Sequence, residues 1–240
     1  MSSIQNKLTK QILSEIMELS DKDKIPFYTK FFRANKGDIC ENDKILAIKV
    51  PELRKVIKKY YSILSLDEIT FFFQSDFNEI RFFGQEVVSQ KFFKTESIDE
   101  KKVYIDYMLN NIDYINHWNL VDNLYDIFSS FCWETKDYSI LESLHKSDSI
   151  WRKRIAIVSN LFLIKKGKLD LAIKYIDDDL EHKHEYIQKA CGWILREIGK
   201  KDEKKLILFL QQNNNRISSI TRSYATEHLR KTFNIKELLQ

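Results

Sequence analysis

Three short segments pair a large aromatic ring with a charge at helical spacing: Trp118-Asn119-Leu120-Val121-Asp122, Trp151-Arg152-Lys153-Arg154 and Cys191-Gly192-Trp193-Ile194-Leu195-Arg196. Trp118 and Asp122 are four residues apart, and Trp151–Arg154 and Trp193–Arg196 are three apart, so each pair shares a helix face. Indole faces attract cations and pack on sugar C–H bonds. A carboxylate stabilises positive charge developing in a transition state, and basic side chains hold phosphates. A cationic or sugar-like substrate fits this set, and so does a helical core with a solvated rim. The usual two-carboxylate glycosidase pair is not evident. One carboxylate suffices only for a leaving group that already carries positive charge, because such a group needs no acid to protonate it.

The elements that must position these residues read as helices. Ile4, Leu8, Ile12, Ile16 and Leu19 form a stripe with steps of three and four. Asp23 reads as the cap of a second helix with Pro26 in its first turn, carrying Phe27, Phe31 and Phe32. A polar loop follows from Asn35 to about Asp43, and Pro51 marks another helix start. From there comparable helices begin near Glu79, Trp118, Trp151, Tyr186 and Ser218, at steps of 39, 33, 35 and 32 residues. Less distinctive helices fall near 98–113, 137–145, 168–181 and 202–211. The helix starting at Trp118 is expected to continue through Val121, Leu124, Tyr125 and Phe128 as core residues. Gly167 and Gly199 read as helix ends. Gly192 interrupts a strong helix at a cost of about 1 kcal/mol relative to Ala, which a close approach by a neighbouring helix would offset. Two helices per 32–39-residue unit predict an all-α fold, an α-α superhelix (solenoid) of degenerate HEAT-like repeats. No linker signal lies between Asp43 and Phe233, so a single domain over 1–240 is expected, with a short loose tail at 232–240.

Composition agrees with this and excludes several classes. Only two prolines and five glycines occur among 240 residues, and neither glycine fingerprint of a nucleotide-binding loop appears. Cys40, Cys132 and Cys191 are far apart, with no CxxC, which argues against a zinc finger or a disulfide scaffold and for buried thiols at Cys132 and Cys191. No apolar run is long enough to span a membrane, and the polar start lacks a signal core, so cytoplasm is the default; a small solenoid with capped ends has no obvious need for a partner, so a monomer is expected. Charge is uneven: residues 150–240 carry 19 Lys/Arg against 11 Asp/Glu, a net of +8, whereas residues 1–149 carry 20 against 24, a net of −4. A basic C-terminal part suits a phosphate backbone.

The chain resembles the AlkD-like DNA alkylation repair family of helical-repeat DNA glycosylases, from roughly Phe27 to Leu229. The resemblance is carried by Val50-Pro51-Glu52-Leu53-Arg54, by Asn116-His117-Trp118-Asn119-Leu120-Val121-Asp122, by Trp151-Arg152-Lys153-Arg154-Ile155-Ala156-Ile157 and by Gln188-Lys189-Ala190-Cys191-Gly192-Trp193-Ile194-Leu195-Arg196-Glu197. It implies HEAT-like repeats wrapping duplex DNA and release of N3- and N7-alkylated purines in base excision repair, without a metal or organic cofactor and without a lyase step. It also implies a lesion left largely stacked, unlike most enzymes acting on bases. Asp122 matches the family's catalytic aspartate, Trp118 and Trp193 its two lesion-contacting tryptophans, and Arg154 the arginine completing the site. Lys189 and Arg196 match positions near the DNA backbone; Arg152, Lys153 and Arg222 extend the basic set. Two positions depart. Asn119 stands where the family commonly has Asp, which is expected to alter bonding at the helix start and not the chemistry. Arg222-Ser223-Tyr224 replaces an adjacent Arg-Tyr. The alternatives are a non-catalytic binder of bent or branched DNA on the same scaffold and a protein-binding HEAT solenoid.

Overall fold

The computed structural model describes residues 3–229, with side chains from Lys7 onward. The tail expected at 232–240 and the side chain of Ile4 lie outside the described residues. The elements described are α-helices, two 3-10 turns and one isolated parallel bridge between Lys44 and Phe77. The chain divides into two compact units, Met1–Asn123 and Leu124–Gln240, and each is taken by itself.

The first unit contains α1 (Ser3–Glu18), α2 (Ile25–Phe31), α3 (Val50–Tyr60), α4 (Leu66–Phe73), α5 (Asn78–Lys94), α6 (Ile98–Asn110) and α7 (Trp118–Asp122). α5 is its central post, packed by α3, α4, α6 and α7. Its sequence explains this. Ile80, Phe83, Val87, Val88 and Phe92 are buried, and so are Asn78, Glu79, Arg81 and Gln85. A helix buried on every side must satisfy its polar groups internally. Around it, Ile12 and Ile16 of α1, Leu53 and Ile57 of α3 and Phe72 and Phe73 of α4 are almost fully buried, at about 1.5–3 kcal/mol per side chain. α4 was not marked by periodicity, yet Ser65 and Glu68 form a reciprocal capping box at its start.

The second unit contains α8 (Ile127–Thr135), α9 (Ser139–His145), α10 (Ile150–Lys165), α11 (Asp170–Asp178), α12 (Glu185–Lys201), α13 (Glu203–Gln212) and α14 (Ser219–Ala225). Here α10 is central, packed by α8, α9, α11 and α12, and α12 in turn carries α13 and α14. Ile155, Ile157, Val158 and Leu163 of α10 and Ile187, Ile194, Leu195 and Ile198 of α12 supply the core. Cys132 and Cys191 are buried free thiols, as expected, and so is Cys40. Burial pushes the Cys40 and Cys132 thiols up to about 12.

Three boundaries differ from those the sequence predicts. The Trp118 helix stops after Asp122; turn residues 123–126 follow, with the Asn123 carboxamide bonded to Glu86 (2.7 Å) and Arg54 (3.3 Å), and a new helix starts at Ile127. Leu124 and Phe128 are buried as predicted, but not as one helix. Asp23 lies inside the 3-10 turn Lys22–Lys24, and Lys24 is the residue before α2. Gly199 does not end its helix: α12 runs to Lys201, and a Cβ on Gly199 would collide with Leu206 Cδ2. Gly167 is a helix end of the predicted kind. Its φ is +79°, its N–H donates to Ile164 and that of Lys168 donates to Leu163, a Schellman closure.

The mid-helix Gly192 sits where α14 crosses α12. A Cβ there would lie 2.5 Å from Tyr224 Cβ and 2.6 Å from the Thr221 carbonyl oxygen. Gly192→Ala therefore sets two effects against each other. Helix propensity favours Ala by about 1 kcal/mol, whereas overpacking against a backbone oxygen costs about 1–3 kcal/mol or more. The clash wins: Gly192→Ala is expected to lower stability by about 2 kcal/mol in urea denaturation, and a stabilised variant would show that α14 does not approach so closely.

Candidate functional site

Trp118 and Asp122 are the first and last residues of α7, and both are half-buried. A helix of five residues makes few backbone bonds of its own, so its placement depends on what grips it. His117 provides the first grip. It is fully buried as the N-cap, where its Nδ1 faces the Asn119 N–H at 3.4 Å, while Nε2 lies 2.9 Å from the Phe32 carbonyl oxygen. Burial pushes the His117 imidazole below its usual range, an effect partly offset by the Phe32 carbonyl and by Asp43. Trp118 packs on Phe32 and meets exposed Phe31 edge-on at 5.7 Å between ring centres.

Behind α7 lies a polar network. Arg81, with a side chain 3% exposed, donates to Asp43 (2.7 Å), to Asn116 (3.1 Å) and to the Ser75 carbonyl (2.9 Å). Asn78 donates to Asp43 (2.9 Å), and Asn78 and Asn119 exchange hydrogen bonds at 2.8 and 3.3 Å. Asn119 Oδ1 also touches His117 Nδ1. Asn119 thus takes part in the bonding at the start of α7. Alongside, Glu79 accepts from the N–H groups of Leu46 (3.1 Å) and Ala47 (2.8 Å). These bonds hold Ala47 at φ +58°, a left-handed conformation that costs an alanine about 1–2 kcal/mol. Burial raises the Glu79 carboxyl above its usual value, against those amide bonds.

None of Asp43, Asn78, Glu79 or Arg81 was singled out from sequence as a site residue. The available signal was Glu79-Ile80-Arg81-Phe82-Phe83, two charges inside a run that must be buried. Such charges require partners nearby.

In the second unit the predicted residues gather around Tyr186. Arg154 is buried, at 5% exposure, and donates to the Tyr186 carbonyl at 2.5 Å, tying α10 to the first turn of α12. Trp151 packs on the Tyr186 ring at 5.3 Å, and the Lys189 ammonium lies 5.5 Å above it. Trp193 and Arg196, both half-buried, follow further along α12. The basic groups carry acids. Lys189 pairs with Glu185 at 2.7 Å, Arg196 with Glu197 at 3.4 Å and also with Glu227. Arg222 donates to the Asn214 carbonyl at 2.7 Å, and Arg152 is half-buried in the first turn of α10.

Lys153 has another occupation. Its ammonium lies 3.1 Å from Asp179 and donates to the His145 carbonyl at 2.7 Å, while the His145 ring contacts Asp179 at 2.8 Å and stacks on Tyr175. Burial pushes Asp179 up, but the hydrogen bonds and charge of His145 and Lys153 outweigh it and hold the carboxyl below the usual range. Among the described residues no cluster of His, Cys, Asp and Glu is arranged to hold a metal ion, and no helix is long and apolar enough to cross a membrane.

Known structures share this helical-repeat fold. A predicted DNA alkylation repair enzyme from Enterococcus faecalis is similar at a TM-score of 0.70 and 19% identity, over 89% of this chain and 98% of that one. AlkD2 from Streptococcus mutans is similar at 0.55 and 20%, over 86% and 97%, and smu.31 from Streptococcus mutans UA159 at 0.56 and 20%, over 74% and 92%. The all-α, HEAT-like repeat architecture expected from the helix spacing is thus the observed fold class. No curated protein matches the chain. The family model described as DNA alkylation repair enzyme matches residues 12–229, and the chain belongs to that family.

Asp179 makes stability depend on pH with a definite sign. Its folded value lies below the ordinary 3.8. Its contribution is therefore present above about pH 4 and is lost as pH falls through the folded value. Asp179→Asn is expected to cost about 2 kcal/mol at pH 7, the scale of charge-assisted hydrogen bonds. In urea denaturation that gap should shrink at about pH 3; a gap independent of pH would show that Asp179 is not held as a carboxylate.

Proposed function

We propose that the protein is a monofunctional DNA glycosylase that excises cationic N3- and N7-alkylated purines from duplex DNA, as a monomer and a single domain in the cytoplasm. The observation that carries this reading is the pairing of Trp118 with Asp122 on α7, in a chain of the DNA alkylation repair family. In the proposed reaction the bond from C1′ to the purine nitrogen breaks and its electron pair leaves with the base, cancelling the base's positive charge. A water oxygen bonds to C1′ and gives up a proton, leaving an abasic site. No acid is needed, which suits a first unit offering one carboxylate at α7. Asp122 stabilises the sugar as it becomes oxocarbenium-like and orients the water; Trp118 packs on the deoxyribose.

In this reading the second unit contributes grip. Trp193 packs on sugar, and Arg152, Lys153, Lys189, Arg196 and Arg222 meet the backbone. Lys153 meets it least, since its ammonium is tied to Asp179. The pairs of Lys189 and Arg196 with glutamates are surface pairs worth about 0–1 kcal/mol, so a phosphate can displace them. Arg154 acts in the site by fixing the first turn of α12.

The test is release of 7-methylguanine or 3-methyladenine from alkylated duplex DNA. The wild type should release the base, and Asp122→Asn should lower the rate on the order of 10²-fold or more. Duplex binding that weakens with salt but yields no free base would instead support the non-catalytic binder, and equal release by both proteins would exclude Asp122 from the chemistry.

A further inference from the structure

The network behind α7 has a direction. Asp43 accepts from Arg81 at 2.7 Å, and a carboxylate offers acceptors only. Asn78 must therefore turn its amide nitrogen to Asp43. That choice fixes the next group: Asn78 Oδ1 accepts from Asn119 Nδ2 at 2.8 Å, and Asn78 Nδ2 reaches Asn119 Oδ1 at 3.3 Å. Turning over either amide alone sets oxygen against oxygen. The order ends at Asn119: the Nε2 of His117 faces the Phe32 carbonyl and carries the ring proton, so its Nδ1 accepts from the Asn119 N–H. One buried ion pair thus orders the amides from the 32–49 loop through α5 to Asn119 in the first turn of α7.

We infer that Asp43, Asn78 and Arg81 are positioning residues for the Trp118–Asp122 segment, and that they require a carboxamide, not a carboxylate, at position 119. A carboxylate there loses the donor to Asn78, leaving two oxygens facing at the present 2.8 Å. Turning Asn78 over only moves the conflict, because its oxygen would then face Asp43 across the present 2.9 Å. The substitution Asp43→Asn relieves the closer conflict and leaves the turned Asn78 oxygen against the second carboxylate oxygen at 119 only across the present 3.3 Å. The amide it introduces donates to a turned Asn78, which donates to the carboxylate at 119, and the oxygen of that amide still accepts from Arg81. Each single change is harmful, and the two together restore most of the order. The catalytic arm of the test rests on the proposed function; the structural arm does not.

The experiment compares wild type, Asn119→Asp, Asp43→Asn and the double variant. Amide hydrogen exchange in a peptide spanning 117–122 should rise about tenfold in each single variant and return toward wild type in the double variant, a coupling within the range seen for residues of one network. Peptides from α10 and α12 should not change, which separates local loosening from unfolding. On alkylated duplex, kcat should fall about tenfold in Asn119→Asp with little change in KM, and recover in the double variant. Wild-type protection in Asn119→Asp, or a double variant no better than that single variant, would overturn the inference. If the wild type releases no base, the glycosylase reading fails, while the exchange arm still decides the network.

Discussion

A buried guanidinium–carboxylate pair, Arg81 with Asp43, governs the geometry of the first unit. Removing two charges from water is strongly unfavourable, and such a pair adds little net stability; breaking it by removing one partner costs about 3–5 kcal/mol. Its consequence is specificity of arrangement. The pair pins the 32–49 loop to α5, orients Asn78 and through it Asn119, and so sets the N-terminus of a helix too short to place itself. Glu79 does parallel work one residue after Asn78, using its carboxylate on two loop amides. The helix that carries Trp118 and Asp122 is held by polar groups chosen for direction and by the packing of Trp118 on Phe32.

The second unit relies on a different device. α10 and α12 are joined by apolar packing and by Arg154 reaching the Tyr186 carbonyl, and Gly192 lets α14 press onto α12. Its formal excess of positive charge is less available than a residue count suggests. Lys153 is tied to Asp179, and Lys189 and Arg196 carry glutamates. In the proposed reading a phosphate backbone displaces these partly exposed pairs, and binding weakens as salt rises.

Much of the fold was legible because periodicity and terminal residues report local physics. The starts of α1, α3, α5, α10, α12 and α14 follow from apolar stripes, Pro51, and Ser or aromatic starts. The break at Asn123 was not legible, since no Gly or Pro marks it and the partners of the Asn123 carboxamide, Glu86 and Arg54, are 37 and 69 residues away. Gly199 misread for a related reason: a buried helical glycine and a terminal glycine look alike until the neighbour, here Leu206, is in place. Among the candidate residues, Trp118 and Asp122 in the first unit and Arg154 and Trp193 in the second were singled out with the help of spacing, and Gly192 was correctly read as a close approach. The network of Asp43, Asn78 and Arg81 was missed because its members come from separate segments and ordinary residue types, although two charges within an aromatic run were a sign that something buried awaited a partner.

Charge decides the proposed chemistry: one carboxylate, no acid, and a base that leaves because it is already cationic. The most direct measurement is the rate of base release from duplexes carrying either 7-methylguanine, which is cationic, or hypoxanthine, which is neutral. The expected result is release of 7-methylguanine and none of hypoxanthine. Comparable release of the neutral base, or release of neither, would contradict it.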